Sequence, residues 1–317
     1  MPTPTILITG ASGFIGGHVV REARQRGAEL SLMTHLRRPP SATAPGTHRV
    51  HADLADPDTL RGVCDGIDVL IHCASRIGGG DEANEAVNAR GTRALVAEAE
   101  RAGVRRIVQL STASVYGRGT FRGSRPEDLR RRPGSATSRT RAAAEDAVTS
   151  AGGVVLRPHL VYGEGDRWVG AGLARILRVL PGTVAGWTSR MSMISAPDLA
   201  RLLVSASLAP RSALPAPAHH AVHPEPVRVA DVLRTVADCA GIHPPGEADL
   251  TVEEARAILA ENGVPASALD LLTTDHVFEG AALWSALRQA PGDGFHAGFR
   301  HAEQWYRTTL RTQTPAA

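Results

Sequence analysis

The sequence contains no lysine: every one of its 35 Lys+Arg positions is an arginine, in a chain of 317 residues. That absence excludes a lysine Schiff base, and with it pyridoxal-type and amine-aldolase chemistry. It also excludes a phosphate-binding loop built on a lysine. Arginine cannot take over proton transfer, because it stays charged at any working pH. Cysteine is scarce too. Cys64, Cys73 and Cys239 are too few and too scattered for a disulfide framework or a zinc site. Aromatic residues make up only 4% of the chain, and the tyrosines number three: Tyr116, Tyr162 and Tyr306. No apolar run reaches membrane-spanning length. An expected first strand from about Thr5 leaves no room for a signal peptide, so the expectation is a cytoplasmic protein. The net charge of +3 is mild, and the arginines are spread along the chain. No nucleic-acid footprint follows, and the densest run, Arg130-Arg131-Arg132, reads as a solvated loop. His219-His220-Ala221-Val222-His223 has no carboxylate or cysteine at ligand spacing. It reads as strand or loop, and no metal site is expected.

What is present is a regular alternation. Short apolar runs at Thr5–Thr9, Leu30–Met33, Arg49–His51, Val69–Cys73, Arg106–Ser111 and Val154–Arg157 read as strands. Helical patterns lie between them, among them Ala83–Ala102 and Ser138–Ser150. The alternation predicts an α/β fold, a doubly wound parallel sheet with crossover helices. Near-continuous apolar runs such as Val69-Leu70-Ile71 suit strands buried on both faces. The second half is punctuated by prolines over 209–226. It then offers two short helices, Val252–Asn262 and Ser267–Leu272, joined at Gly263-Val264-Pro265. The expected division is a nucleotide-binding domain over 1–162 and a smaller, interleaved substrate region over 163–317. Part of the latter (190–225) returns to the first domain, and 248–280 forms either a helical lid or a docking element.

The stretch Gly10-Ala11-Ser12-Gly13-Phe14-Ile15-Gly16 follows an expected strand and opens an expected helix. In that context the glycines permit a tight turn and close approach of a pyrophosphate to the helix N-terminus. Gly10, Ser12, Gly13, Phe14, Ile15 and Gly16 are the residues expected to hold it. An NAD site places an acidic residue near the end of the second strand. From Leu30 through Ala52 there is none; Arg37 and Arg38 stand there instead, suited to a 2′-phosphate. The cofactor expected is therefore NADP(H).

Further motifs carry a resemblance. These are Ala52-Asp53-Leu54, Val69-Leu70-Ile71-His72-Cys73-Ala74-Ser75, Val87-Asn88-Ala89-Arg90-Gly91-Thr92 and Ser111-Thr112-Ala113-Ser114-Val115-Tyr116-Gly117. To them are added Leu156-Arg157-Pro158-His159-Leu160-Val161-Tyr162-Gly163 and Pro197-Asp198-Leu199-Ala200. Over residues 5–240 the chain resembles the short-chain dehydrogenase/reductase family in its extended, epimerase/dehydratase-like form. The resemblance implies that Asp53 and Leu54 hold the adenine and that Cys73, Ala74 and Ser75 pass beside the cofactor. It implies further that Asn88 is a structural asparagine of the site, and that Pro158 and His159 lie along the nicotinamide. Thr112 stands where the family carries its catalytic Ser or Thr.

The family's Tyr-x-x-x-Lys pair is missing. In Ala136-Thr137-Ser138-Arg139-Thr140-Arg141, followed by Ala-Ala-Ala-Glu, Thr137 occupies the tyrosine position and Arg141 the lysine position. An aliphatic hydroxyl is far less acidic than a phenol and a poor general acid. Arg141 can hydrogen-bond ribose hydroxyls but cannot shuttle a proton. General-acid help is typically worth 10²–10⁴-fold, so its loss slows ketone reduction without forbidding it. The missing proton could come from water, from His72 or His159, from a loop's reach of Tyr116, or from the substrate itself. A phenol beside the ketone, as in aromatic polyketides, would stabilise the developing alkoxide internally.

Within the family, the missing pair, the arginine-only composition and the inserted helices resemble ketoreductases of angucyclinone-like aromatic polyketides in antibiotic biosynthesis. That likeness implies NADPH-dependent reduction of a ring ketone by a substrate-assisted route. Trp168, Trp187, Met191 and Met193 would suit a flat apolar substrate, or simply belong to the core. The alternatives are a non-catalytic NADP(H) sensor and, less favoured because it needs the tyrosine, a sugar-nucleotide epimerase or dehydratase. The expected partner is a small aromatic molecule; the oligomeric state is left open.

Overall fold

A computed structural model describes residues 3–36, 46–242 and 248–312. Its centre is a seven-stranded, wholly parallel sheet. The strands are β1 (Thr5–Thr9), β2 (Glu29–Thr34), β3 (Thr47–His51), β4 (Val69–His72), β5 (Arg106–Leu110), β6 (Val154–Arg157) and β7 (Ala218–His220). Their spatial order is β7-β6-β5-β4-β1-β2-β3. The chain thus winds outward from β1 in one direction, then reverses at β4. That reversal opens a crevice at the carboxyl ends of β1 and β4, where such folds bind ligands. All four residues of β4 and all five of β5 are buried, as the apolar runs predict for strands covered on both faces.

Helices cover both faces: α1 (Phe14–Gln25), α2 (Thr92–Arg101), α3 (Ala136–Ser150) and α4 (Ala196–Leu208). Val19, Val20 and Ala23 give α1 an apolar stripe against the sheet, where it also meets Leu199, Leu202 and Leu203 of α4. The helical run expected from Ala83 begins at Asp81 and reaches Arg101, with a π-helical stretch over Glu85–Gly91. A Cβ on Gly91 would lie 2.3 Å from the Leu54 carbonyl oxygen, so only glycine lets this helix meet the Ala52–Leu54 turn so closely. π-turns of this kind often mark functional sites.

The second half builds its own core around Leu173, Trp187, Met191, Leu233, Phe299 and Tyr306, while α4 and β7 return to the first layer. Trp187, Met191 and Met193 are almost wholly buried in that core, so of the four residues weighed for a flat substrate only Trp168 is exposed. The expected helix Val252–Asn262 is present as Val252–Glu261, with a Thr251/Glu254 capping box at its start. The expected helix Ser267–Leu272 is instead a 3₁₀ turn, Ala266–Ala268, followed by a short helix, Asp270–Thr273. Each piece is a single turn, too short to sustain an unbroken helix by itself. Among the described residues no helix is long and apolar enough to cross a membrane, and no group of three His, Cys, Asp or Glu could hold a metal.

Candidate active site

The glycine turn is shaped by contact rather than by composition. Gly10 has φ of +68°, and a Cβ on it would lie 2.7 Å from the Ala74 nitrogen. A Cβ on Gly16 would lie 2.0 Å from the Gly10 carbonyl oxygen. The turn is thus pressed between β4 and α1, and only bare backbone fits. Gly13 caps α1 with no side-chain acceptor, which leaves the first N–H groups of that helix open to an anion.

Beside the turn lies a cleft of about 720 Å³. Gly10, Ser12 and Gly13 form one wall, Asp53 and Leu54 another, and Cys73, Ala74 and Ser75 the floor. Phe14 faces a neighbouring crevice shared with Trp168, Ile15 packs on the core, and Gly16 is buried under the turn. The end of β2 contributes Thr34, His35 and Leu36, and His35 Nε2 lies 3.4 Å from Asp53 Oδ2. Arg37 and Arg38, the residues expected at a 2′-phosphate, lie outside the described residues. The cleft, its glycine wall and the uncapped N-terminus of α1 fit a dinucleotide, whose pyrophosphate can accept from the free N–H groups.

The floor of the cleft is held from below. Asn88 Oδ1 accepts from the Arg76 N–H (2.7 Å), and its Nδ2 donates to the Arg76 carbonyl (3.0 Å) and to Thr140 Oγ1 (3.1 Å). Asn88 is buried and acts on the cleft through this loop. His72 is engaged at both ring nitrogens, by Thr9 Oγ1 (2.7 Å) and Thr92 Oγ1 (2.9 Å). Burial, then the nearby Arg141 charge, lowers its pKa to about 4. The expectation of His72 as a proton source is therefore corrected: it is a neutral clamp between β1 and α2.

Arg141 is turned inward. Its Nη1 donates to Ser75 Oγ (2.7 Å) and its Nη2 to the Leu110 carbonyl (2.6 Å), while Nε is buried without a partner. Desolvation lowers its pKa to about 10. Thr112 caps a 3₁₀ turn, its Oγ1 accepting from the Ser114 N–H and donating to Ser114 Oγ, both at 3.1 Å. Thr137 lies half-buried in the first turn of α3.

Tyr116 cannot replace the missing phenol. Arg157 Nη1 donates to its oxygen (2.8 Å), and His220 Nε2 lies 2.7 Å away. Arg157 also makes a two-point pair with Glu145 (2.9 and 2.6 Å), whose Oε1 accepts from Ser111 Oγ (2.5 Å). Desolvation raises the Tyr116 pKa, and its ring stacks on Phe278 at 5.8 Å. The suggestion that a loop movement brings Tyr116 to the substrate is corrected by this burial. Tyr306 donates to Asp166 Oδ2 (2.9 Å) and accepts from the Gly163 N–H (3.0 Å). Tyr162 is buried against Phe295 and Phe299.

A second cavity, of about 250 Å³, lies beside Ala113 and Ser114 and is walled by Phe121, Phe278, His159 and His276. The two imidazoles stack in parallel, 5.2 Å apart and 6° from coplanar, and His159 Nε2 is buried without a partner. Burial, then the nearby His276, lowers the His159 pKa to about 3, so its ring is neutral and cannot serve as a cationic acid near neutrality. Ser267, Asp270 and Leu271 of the inserted segment close one side. Asp270 is paired with Arg256 and, at 3.5 Å, with Arg118 across the rim. Sequence reasoning missed His276, Phe278 and Phe121; their one local signal is the alternating triplet His276-Val277-Phe278, which forms a strand parallel to Phe121–Ser124.

The sequence profile of the NAD dependent epimerase/dehydratase family matches residues 6–217. Among curated relatives, the 2-alkyl-3-oxoalkanoate reductase of Stenotrophomonas maltophilia is 27% identical over 258 residues, 74% of this chain and 76% of that protein. The 4-hydroxy-2-methyl-3-oxo-4-farnesyl-3,4-dihydroquinoline-1-oxide ketoreductase of Stigmatella aurantiaca is 29% identical over 169 residues, 50% of this chain and 51% of that one. Among solved structures, the Bordetella bronchiseptica enzyme WbmH in complex with NAD+ superposes with a TM-score of 0.76 at 18% identity, covering 97% of this chain and 100% of its own.

Proposed function

This chain belongs to the NAD dependent epimerase/dehydratase family, and from that premise we propose that it is an NADPH-dependent ketoreductase acting on a ring ketone of an aromatic, angucyclinone-like polyketide. Its relatives include proteins named as reductases, dehydrogenases and a ketoreductase of a ring ketone. A bound nicotinamide would supply the hydride. The chain's own residues bind, orient and exclude water. The glycine turn and the open N-terminus of α1 receive the pyrophosphate, and Asp53, Leu54 and the Cys73–Ser75 floor take the nucleosides. The lack of an acidic residue after Glu29 in β2 favours the phosphorylated cofactor.

The observation that carries the reading is the chemistry of the second cavity. Phe121, Phe278 and the neutral imidazoles of His159 and His276 give it flat walls suited to a flat substrate, and serines and Arg118 line much of the rest. The sole acidic side chain among its lining residues, Asp270, is already paired with arginines. No phenol lines it, and all three tyrosines are engaged or buried elsewhere. A ketone reduced here must draw its proton from solvent or from a hydroxyl of its own. Thr112, next to Ala113 and Ser114 of the cavity wall, would hydrogen-bond the carbonyl oxygen by giving up its bond to Ser114 Oγ. The 248–280 segment acts as a lid, a role supported by Ser267, Asp270 and Leu271 on the cavity wall and by the Asp270–Arg118 contact across its rim.

The test is consumption of NADPH and of NADH in the presence of an aromatic ring ketone. The expected result is alcohol formed in step with NADPH oxidation, with NADH the poorer donor. Tight NADPH binding without turnover on any such ketone would favour a sensor instead, and a clear NADH preference would defeat the cofactor assignment.

A further inference from the structure

Arg141 stands at the position where the family's lysine would meet the cofactor, yet its donors do not face the cleft. Nη1 is given to Ser75 Oγ, Nη2 to the Leu110 carbonyl, and Nε is buried. The residue is 8% exposed and is absent from the cleft wall, whereas Ser75 is part of that wall. Arg141 forms no ion pair among the described residues, because the nearby Glu145 is held at both oxygens by Arg157. Its charge is therefore directed at two neutral oxygens, one of which opens onto the cleft.

We propose that Ser75, rather than Arg141, hydrogen-bonds a ribose hydroxyl oxygen of the bound dinucleotide, and that Arg141 is the residue that positions and polarises it. A serine hydroxyl has one proton and two acceptor sites. Arg141 takes an acceptor site, and no described residue accepts the Ser75 proton. That proton is left for a ligand, and a cationic donor on the same oxygen strengthens it as a donor. The relay also explains why arginine, with two diverging donors in one plane, serves here: one arm holds Ser75 and the other anchors on β5. The inference rests on the cleft's holding a dinucleotide, and the binding measurement below separates the two claims.

The experiment measures the Kd for NADPH by fluorescence titration, without substrate, in wild type, Ser75→Ala, Ser75→Thr, Arg141→Lys and the double variant Ser75→Ala/Arg141→Lys. Melting temperatures are recorded alongside. Loss of Ser75's hydroxyl should weaken binding about tenfold, the upper end of one net hydrogen bond, and Ser75→Thr should restore most of it. Arg141→Lys should weaken binding in the wild-type background and add little to Ser75→Ala. An unchanged Kd in Ser75→Ala overturns the relay. So does an Arg141→Lys effect of equal size in both backgrounds, which would signal direct contact. If the lysine variants do not fold, the Ser75→Ala and Ser75→Thr pair decides alone. A wild-type protein that binds neither NADPH nor NADH defeats the cofactor reading itself, and the relay with it.

Discussion

The Tyr116 phenol accepts a hydrogen bond from the Arg157 guanidinium at 2.8 Å and touches His220 on its other side at 2.7 Å. Its burial and its partners make it part of the scaffold. Tyr116→Phe should leave ketone reduction within about threefold of wild type, whereas loss of a general acid costs 10²–10⁴-fold. It should lower stability by about 1–3 kcal/mol, because a buried guanidinium arm and an imidazole lose their partner. Initial rates and denaturant titration on the same sample check both halves.

Glu145 neutralises Arg157 beneath that phenol with 1% of its side chain exposed. Glu145→Gln leaves a buried guanidinium without its countercharge and should cost roughly 3–5 kcal/mol. Urea unfolding of the variant against wild type measures it. A loss under 1 kcal/mol would mean that the pair is more hydrated than its burial implies.

Burial holds His72 neutral down to about pH 4, and His159 and His220 down to about pH 3. Their unfolded pKa is near 6.5, so between these limits the unfolded chain binds more protons than the folded one. Stability is therefore complete above pH 6.5 and falls as the pH drops toward 4. The slope is on the order of 1 kcal/mol per pH unit for each histidine. Melting temperature followed from pH 7.5 to 4.5 should decline steadily below 6.5. A flat profile would contradict the assignment of these rings as buried and neutral.

Trp168 is 63% exposed and borders both the dinucleotide cleft and the crevice beside Phe14. Trp187 and Trp284 are buried in the cores, and the half-buried Trp305 lines the crevice but not the dinucleotide cleft. NADPH binding should quench tryptophan emission, and Trp168→Phe should remove most of that quenching. Titration of both proteins with NADPH checks this; equal quenching would place the cofactor away from Trp168.

The nucleotide half was legible because its signals are local. Val69-Leu70-Ile71 announces a strand covered on both faces, and the glycine turn sits where a strand becomes a helix. The trailing Ala-Ala-Ala-Glu after Arg141 fixes the register that exposes the missing tyrosine and lysine. The aim of those side chains was not legible, because aim is set by distant partners. Arg141 turns inward because Ser75 and the Leu110 carbonyl accept from it across 66 and 31 residues. His276 reaches the cavity through a short strand paired with Phe121, and nothing near His276 in the sequence points to that partner. Met191 and Met193 looked suited to a flat ligand by type; only their packing distinguishes core from pocket.

The central claim is that a hydroxyl of the substrate, in place of a protein phenol, stabilises the forming alkoxide. The direct measurement compares kcat for NADPH oxidation on an aromatic ketone bearing a neighbouring phenol with kcat on the same ketone lacking that hydroxyl or carrying it as a methyl ether. The account predicts a loss of about 10²-fold or more, the lower end of what general-acid help contributes, with cofactor affinity unchanged. Equal rates on the two ketones would contradict it and move the proton's source to solvent or to the protein.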